Sequence, residues 1–178
     1  MFGFLSRRRR ADERHAEALY RQIVEQARRP AFYLTGGVPD TVAGRFDLIA
    51  LHAFLVMRQL KAAGRPGAGI SQALFDTMFA DMDRNLREMG VGDLGVGRRV
   101  KAMAKGFYGR VHAYEAALAP AAEPEALAQA LARNLYAGAA VDPARLAAMA
   151  AYLRREARAG ERRKEALDGR LAFGPPPS

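Results

Sequence analysis

The most apolar stretch of the chain, residues 46–60, has the spacing of a buried α-helix. Its apolar positions recur at intervals of three and four residues, at Ile49, Ala53, Val56 and Leu60. Leu48, Leu51 and Leu55 widen this face. A helix that is apolar over most of its circumference must be covered by other elements. We therefore predict a helix over residues 43–63 at the centre of a helical bundle.

Five further segments have the periodicity of amphipathic helices. We predict helices over residues 12–29, 71–89, 98–118, 124–136 and 143–159, separated by connections rich in proline and glycine. Leu and Ala dominate the apolar residues and β-branched residues are sparse, which favours helices over strands. A length of 178 residues suits one domain. The predicted fold is an all-α, single-domain bundle of about six helices with flexible termini.

We divide the chain into a basic N-terminal tail (1–11), a helical domain (12–159) and a charged tail that ends in prolines (160–178). We expect the last part to be frayed or disordered. Two interpretations of the first part remain open, a disordered basic tail and a membrane-surface anchor. A mitochondrial presequence fits less well, because Asp12 and Glu13 follow too soon. The anchor would consist of Phe2, Phe4, Leu5, Arg7, Arg8, Arg9 and Arg10.

Composition restricts the chemistry and the partners of the chain. The sequence contains no cysteine, which excludes disulfides, thiolate metal sites and cysteine nucleophiles. The net charge of +9 indicates an acidic partner, which is nucleic acid, an anionic membrane surface or an acidic protein face. Residues 46–60 are too few to span a membrane and include Asp47 and Arg58. A cleaved signal peptide is not expected, because no apolar core segment follows an initial basic run.

Two short motifs resemble ligand sites without their structural context. Residues 90–95 match G-x-G-x-x-G, but a predicted helix precedes them where a dinucleotide site requires a strand. They are interpreted as a tight turn with positive φ, or as an anion-holding turn beside Arg98. Residues 81–85 resemble the start of a calcium loop, but Leu86 and Gly92 replace its glycine and glutamate. We predict a solvated helix face there.

Nothing in the sequence favours catalysis or a cofactor. His15, His52 and His112 lie on three different predicted helices, so no metal site is predicted. Because His52 lies within the apolar helix, we predict a hydrogen-bonded core histidine. No nucleophile has a base at close spacing.

Methionine and phenylalanine are concentrated in residues 71–89. This stripe is interpreted as core packing, with a partly exposed groove that repacks around partners as the alternative. Aromatic residues also lie among basic ones in residues 105–110, as in RNA-binding surfaces, but Phe107 belongs to an apolar helix seam. A basic nucleic-acid- or ribosome-binding module therefore remains the alternative function on total charge alone.

The middle of the chain resembles the ubiquinol–cytochrome c chaperone family over residues 38–118. The motifs occur in the family's order: VPDTVAGRFD at 38–47, LHAFL at 51–55, LFDTMFADMD at 74–83, LREMGVGDLGVG at 86–97 and FYGRVHAY at 107–114. The run REMGVGD is the most specific of them. The composition, rich in Ala, Arg and Gly, is typical of a bacterial member.

This resemblance implies a helical assembly factor that binds newly made cytochrome b during biogenesis of ubiquinol–cytochrome c reductase. It implies no enzymatic activity. It also implies a small partner protein and the ribosome as further candidate partners. We expect a cytoplasmic protein with peripheral contact with the inner membrane. Candidate partner contacts, some of which we expect to be internal salt bridges instead, are Arg45, Asp76, Asp83, Arg87, Glu88, Asp93, Arg98, Lys101, Lys105 and Arg110.

Overall fold

The computed structural model describes residues 2–158 and 162–177, with side chains from residue 7 onward. Within these ranges the chain forms eight helices and no strand, which confirms the all-α bundle. Six of the helices have nine residues or more. They are α1 (Phe2–Ala27), α2 (Ala31–Leu34), α3 (Val42–Ala62), α4 (Arg65–Glu88), α5 (Asp93–Ala117), α6 (Ala126–Asn134), α7 (Pro143–Ala157) and α8 (Arg163–Leu167).

Helix α3 is the central helix that the apolar pattern predicts. Its first turn is capped by the hydroxyl of Thr41, which accepts a hydrogen bond from the backbone N–H of Gly44 at 3.1 Å. Thirteen of its residues are buried. It contributes Leu48 and Leu51 to one apolar cluster, with α6 and α7, and Ala53 and Val56 to a second, with α1 and α4. The two halves of the core therefore meet at α3.

Helix α1 begins ten residues earlier than the predicted start at Asp12. Asp12 is therefore an interior residue of the helix, and the interpretation of residues 2–11 as a disordered tail is wrong for the backbone. Arginine is a good helix former, so residues 7–10 extend the helix. Their side chains are exposed, whereas the side chains of Phe2, Phe4 and Leu5 lie outside the described part.

Two other helices also start before their predicted bounds. Gly64, with φ of 70°, interrupts the helical backbone after α3. Helix α4 then begins at Arg65, with Pro66 in its first turn. The predicted start at Ser71 is therefore wrong. Helix α5 begins at Asp93, so the predicted loop at residues 90–97 shortens to three residues. Gly90, with φ of 81°, makes the tight turn that the sequence predicts.

The end of the chain packs against the bundle, and the prediction that it is frayed is wrong for residues 162–177. Residues 169–177, which we call the C-terminal strap, have no regular secondary structure. Leu171 is 5% exposed and belongs to the core cluster with α1 and α4. Phe173 packs its edge against the ring of His52, with the ring centroids 5.0 Å apart. Burial of Leu171 and partial burial of Phe173 help to offset the entropy of ordering the strap.

Side chains of α1 bind the backbone of the strap. The Gln22 amide donates to the carbonyl of Gly169 at 2.9 Å and accepts from the N–H of Leu171 at 2.6 Å. The Gln26 amide donates to the carbonyl of Gly174 at 3.0 Å. These bonds satisfy backbone groups that have no helical partner. The strap is therefore part of the fold.

Candidate functional site

One groove on the surface is lined by three large apolar side chains that the fold leaves exposed. Leu34 is 75% exposed, Val42 66% and Met89 52%. The groove has a volume of about 650 Å³. We call it the methionine groove, and its apolar lining includes Leu34, Val42, Phe46, Ile49, Met82, Leu86, Met89 and Met103. An exposed apolar concavity of this size is typical of a binding site.

The groove lies where four parts of the bundle meet. They are the end of α1 with α2, the start of α3, the end of α4 and the middle of α5. Phe46 and Leu86 are each 7% exposed and form its floor. The rim is polar and includes Asp40, whose carboxylate accepts from Arg45 at 2.6 Å. This hydrogen bond holds the pKa of the Asp40 carboxyl below its usual range.

The methionine-rich stripe of α4 divides between the two roles that the sequence leaves open. Leu74 and Met78 are fully buried in the core. One to three turns later, Met82, Leu86 and Met89 line the groove. Met side chains adopt several shapes at small cost, so these residues and Met103 can adapt to different apolar surfaces. Core packing is thus confirmed for most of the stripe, including Met82 and Leu86, which are 8% and 7% exposed, whereas Met89 at the end of the stripe is exposed in the groove.

Of the ten candidate contacts, only Arg45 and Glu88 line the groove. Arg87 donates from Nε to Asp83 at 2.6 Å and also pairs with Asp93, so these three join the end of α4 to the start of α5. Asp76 is exposed and accepts a hydrogen bond from Gln72 at 2.9 Å. The outer side of α5 carries the exposed residues Arg98, Lys101 and Lys105.

Arg110 lies inside the fold. It donates to Asp47 at 2.5 Å, and the two side chains are 21% and 8% exposed. Its guanidinium also lies over the ring of Phe46 at 5.9 Å. Burial raises the pKa of the Asp47 carboxyl to about 6, and the charge of Arg110 opposes that rise. The sequence prediction that some candidate contacts are internal ion pairs is therefore confirmed for Arg110.

His52 is the hydrogen-bonded core histidine that the sequence predicts. Its Nδ1–H donates to the carbonyl of Leu48 at 2.8 Å, and its Nε2 accepts from the hydroxyl of Tyr152 at 2.8 Å. The Tyr152 hydroxyl also accepts from the amide of Gln26 at 3.1 Å. Burial lowers the pKa of His52 to about 4, so the ring is neutral at pH 7. This network joins α1, α3 and α7.

Two exposed groove residues, Leu34 and Val42, were missed by sequence reasoning. Both lie beside turns, Leu34 in the short α2 and Val42 at the first position of α3. The only available signal was a large apolar side chain next to a helix end, and such residues more often pack inward.

In the part of the chain that the structure describes, no group of three His, Asp or Glu residues could hold a metal ion. None of the described helices is long and apolar enough to cross a membrane.

Comparison with known proteins gives a consistent result. The model of a family described as ubiquinol-cytochrome C chaperone matches residues 35–165. A ubiquinol-cytochrome-c reductase complex assembly factor 1 from Xenopus laevis is 25% identical over 138 residues, which cover 78% of this chain and 68% of the relative. The Mus musculus protein of that name is also 25% identical, but the matched region covers only 46% of it.

A solved structure with a similar fold covers almost the whole chain. It is the crystal structure of the Cbp3 homolog from Brucella abortus, which is 34% identical and superimposes with a TM-score of 0.79. The match covers 98% of this chain and 97% of that one.

Proposed function

The chain belongs to the ubiquinol–cytochrome c chaperone family, and on that premise we propose that it binds newly made cytochrome b during assembly of ubiquinol–cytochrome c reductase. The proposed mechanism is reversible binding without catalysis. A newly made membrane subunit exposes apolar helices before its partners cover them. A chaperone that shields such a helix needs an apolar surface that is accessible in its own folded state.

The methionine groove is the observation that carries this proposal. It brings together Leu34, Val42 and Met89, which are three of the five large apolar residues that the described part of the chain leaves exposed. An amphipathic or apolar helix can place one face in such a groove. The adaptable methionine side chains suit a client that binds at different stages of its folding. We propose that the groove covers one apolar helix of cytochrome b.

Deletion of the gene tests the assembly role. We expect the deletion strain to lose most of its cytochrome b and assembled reductase, because the unshielded subunit is degraded or aggregates, and the wild-type chain to restore both. Cytochrome b is measured by its haem spectrum and the reductase by its activity in membranes. Normal levels in the deletion strain would exclude this function.

Site-specific photo-crosslinking tests the client within the same strain. A photoreactive residue in place of Val42, which is 66% exposed in the groove, should capture cytochrome b. The matched control places the same residue at Ala151, which is exposed on α7 outside the groove. Equal capture at both positions would mean that the groove does not bind the client.

We also propose that residues 1–11 hold the chain at the membrane surface. Among the side chains described from residue 7 onward, the first buried one of α1 is Ala16, and Arg7, Arg8, Arg9 and Arg10 are all exposed on the preceding turns. Arginines near an anionic leaflet meet lipid phosphates. Removing residues 1–10 is expected to shift the chain from the membrane pellet to the supernatant after cell fractionation. An unchanged distribution would contradict the anchor.

A further inference from the structure

One face of α5 is exposed to solvent along most of the helix. Six residues spaced three or four apart follow this face, and at 100° per residue they fall within about 80° of the helix circumference. We call them the α5 stripe: Leu94, Arg98, Lys101, Lys105, Tyr108 and His112. All six are exposed. The stripe therefore runs along about 27 Å of solvent-facing helix at a rise of about 1.5 Å per residue.

The charge of the α5 stripe is not neutralised within the described part of the chain. Arg98, Lys101 and Lys105 make no ion pair there, whereas Arg87 and Arg110 are both bound to carboxylates. The stripe contains no acidic residue. Three cations on one face therefore attract a negatively charged surface.

Apolar side chains lie on the same stripe. Leu94 is 95% exposed and Tyr108 is 59% exposed. Leu94 is the second residue of α5, and its exposure serves no contact in the described fold. Tyr108 has an apolar ring and a polar hydroxyl, a combination enriched where lipid meets water. The stripe thus places three cations suited to lipid phosphates between Leu94 and Tyr108, which are suited to the acyl boundary.

We propose that the α5 stripe is a docking surface for an anionic lipid bilayer. Arg98, Lys101 and Lys105 would contact lipid phosphates, and Leu94 and Tyr108 would enter the interface. None of the stripe residues lines the methionine groove, so client and bilayer would use separate surfaces. The inference does not depend on which client the chain binds.

Nucleic acid also attracts cations, but the apolar part of the stripe favours lipid. A phosphate backbone gives the side chain of Leu94 nothing to pack against. The ring of Tyr108 stacks on Phe75 with centroids 5.4 Å apart and planes inclined by 29°, so one of its two faces is covered within the fold. Single-stranded nucleic acid is bound by stacking successive bases on several aromatic side chains, and Tyr108 is the one Phe, Tyr or Trp residue of the stripe.

Co-sedimentation of the full chain with vesicles tests the proposal. The vesicles consist of phosphatidylcholine with about one quarter phosphatidylglycerol, and purely phosphatidylcholine vesicles are the neutral control. Replacing Arg98, Lys101 and Lys105 together by Gln is expected to weaken binding to the anionic vesicles roughly a hundredfold. Residues 1–10 remain in every variant, so their contribution stays constant.

A second triple variant controls for overall charge. It replaces exposed cations outside the stripe, on α6 and α8, and is written Arg133→Gln, Arg163→Gln, Lys164→Gln. Both triple variants lose three positive charges, so the net charge falls from +9 to +6 in each. We expect the control to bind anionic vesicles within about threefold of the wild type. Equal weakening of both triple variants would overturn the assignment to this face.

The variant Leu94→Ser separates lipid from nucleic acid without changing any charge. It is expected to weaken vesicle binding several-fold and to leave binding to a single-stranded RNA oligonucleotide unchanged. If Leu94→Ser had no effect on vesicles while the stripe triple variant lost RNA binding, the stripe would be a nucleic-acid surface and the proposal would be wrong. Failure of the wild-type chain to bind anionic vesicles would also overturn it. Because the vesicles contain no protein client, neither result bears on cytochrome b.

Discussion

Replacing Val42 and Met89 together by glutamate is expected to abolish assembly of the reductase while the chain stays folded. These side chains are 66% and 52% exposed, so glutamate is hydrated in the free protein. When an apolar client helix covers the groove, both carboxylates must lose water against an apolar surface. Removing a charge from water in this way costs several kcal/mol, which corresponds to a weakening of binding by about a hundredfold or more.

The measurement uses the deletion strain complemented with each variant. Reductase activity and the haem spectrum of cytochrome b report assembly, and thermal unfolding of the purified chain reports the fold. A matched control, Ala147→Glu with Ala151→Glu, adds the same charge to exposed positions of α7 and should assemble the enzyme normally. Normal assembly with the groove variant would exclude the groove as the client site. A failure that both variants share would point to net charge.

Replacing His52 by leucine is expected to lower the free energy of unfolding by about 2–4 kcal/mol at pH 7. The substitution removes two hydrogen bonds of 2.8 Å and leaves the Tyr152 hydroxyl without its acceptor. It also removes the ring that the edges of Phe32 and Phe173 contact, at centroid distances of 5.2 and 5.0 Å. Urea unfolding followed by circular dichroism measures the loss.

The pKa values of His52 and Asp47 make the stability of the wild-type chain depend on pH. Because burial lowers the pKa of His52 from 6.5 to about 4, the unfolded state binds a proton first as pH falls below 6.5. This linkage lowers the free energy of unfolding by about 3 kcal/mol by pH 4. Asp47 acts in the opposite sense, since its pKa is raised from 3.8 to about 6. Its folded form binds a proton first, so its contribution stabilises the fold as pH falls from 6 to 4.

Two single variants separate these opposing effects. Asp47→Asn leaves the linkage of His52, so stability should fall more steeply between pH 6 and pH 4 than in the wild type. His52→Leu leaves the linkage of Asp47, so stability should rise relative to the wild type over the same interval. Other titrating groups are common to all three chains, and the differences between chains remove them. Differences of the same sign in both variants would contradict this account.

The sequence predicts the helices because a buried face repeats every three or four residues. Helix α3 is found within one residue of its predicted bounds, since its apolar positions extend to both ends. The starts of α1, α4 and α5 are missed because residues near Arg7, Arg65 and Asp93 are polar or glycine-rich and carry no apolar period. Helix-forming arginine and a proline in the first turn are weaker signals than an apolar period. Packing against neighbouring helices therefore decides where these helices start.

The groove and the strap depend on contacts between distant parts of the chain, which periodicity does not contain. Leu34 and Met89 line the same groove only because the fold brings α2 close to the end of α4. The two bonds between Gln22 and the strap join residues 147 and 149 positions apart. A proline-ending, charged segment has the composition of a disordered tail. It takes a fixed position through hydrogen bonds with α1 and α7 and through the packing of Phe173 against His52.

The position of the strap makes the separation of contacts along the chain matter for how this protein folds. The His52 network joins residues as far apart as Gln26 and Tyr152, and Phe173 of the strap packs against it from still further along the chain. Contacts of such long separation form slowly, so this part of the core closes late in folding. A protein proposed to shield another unfinished chain thus passes through an incomplete stage of its own. Purification tags are therefore better placed before α1 than after the strap, whose residue Pro177 is buried.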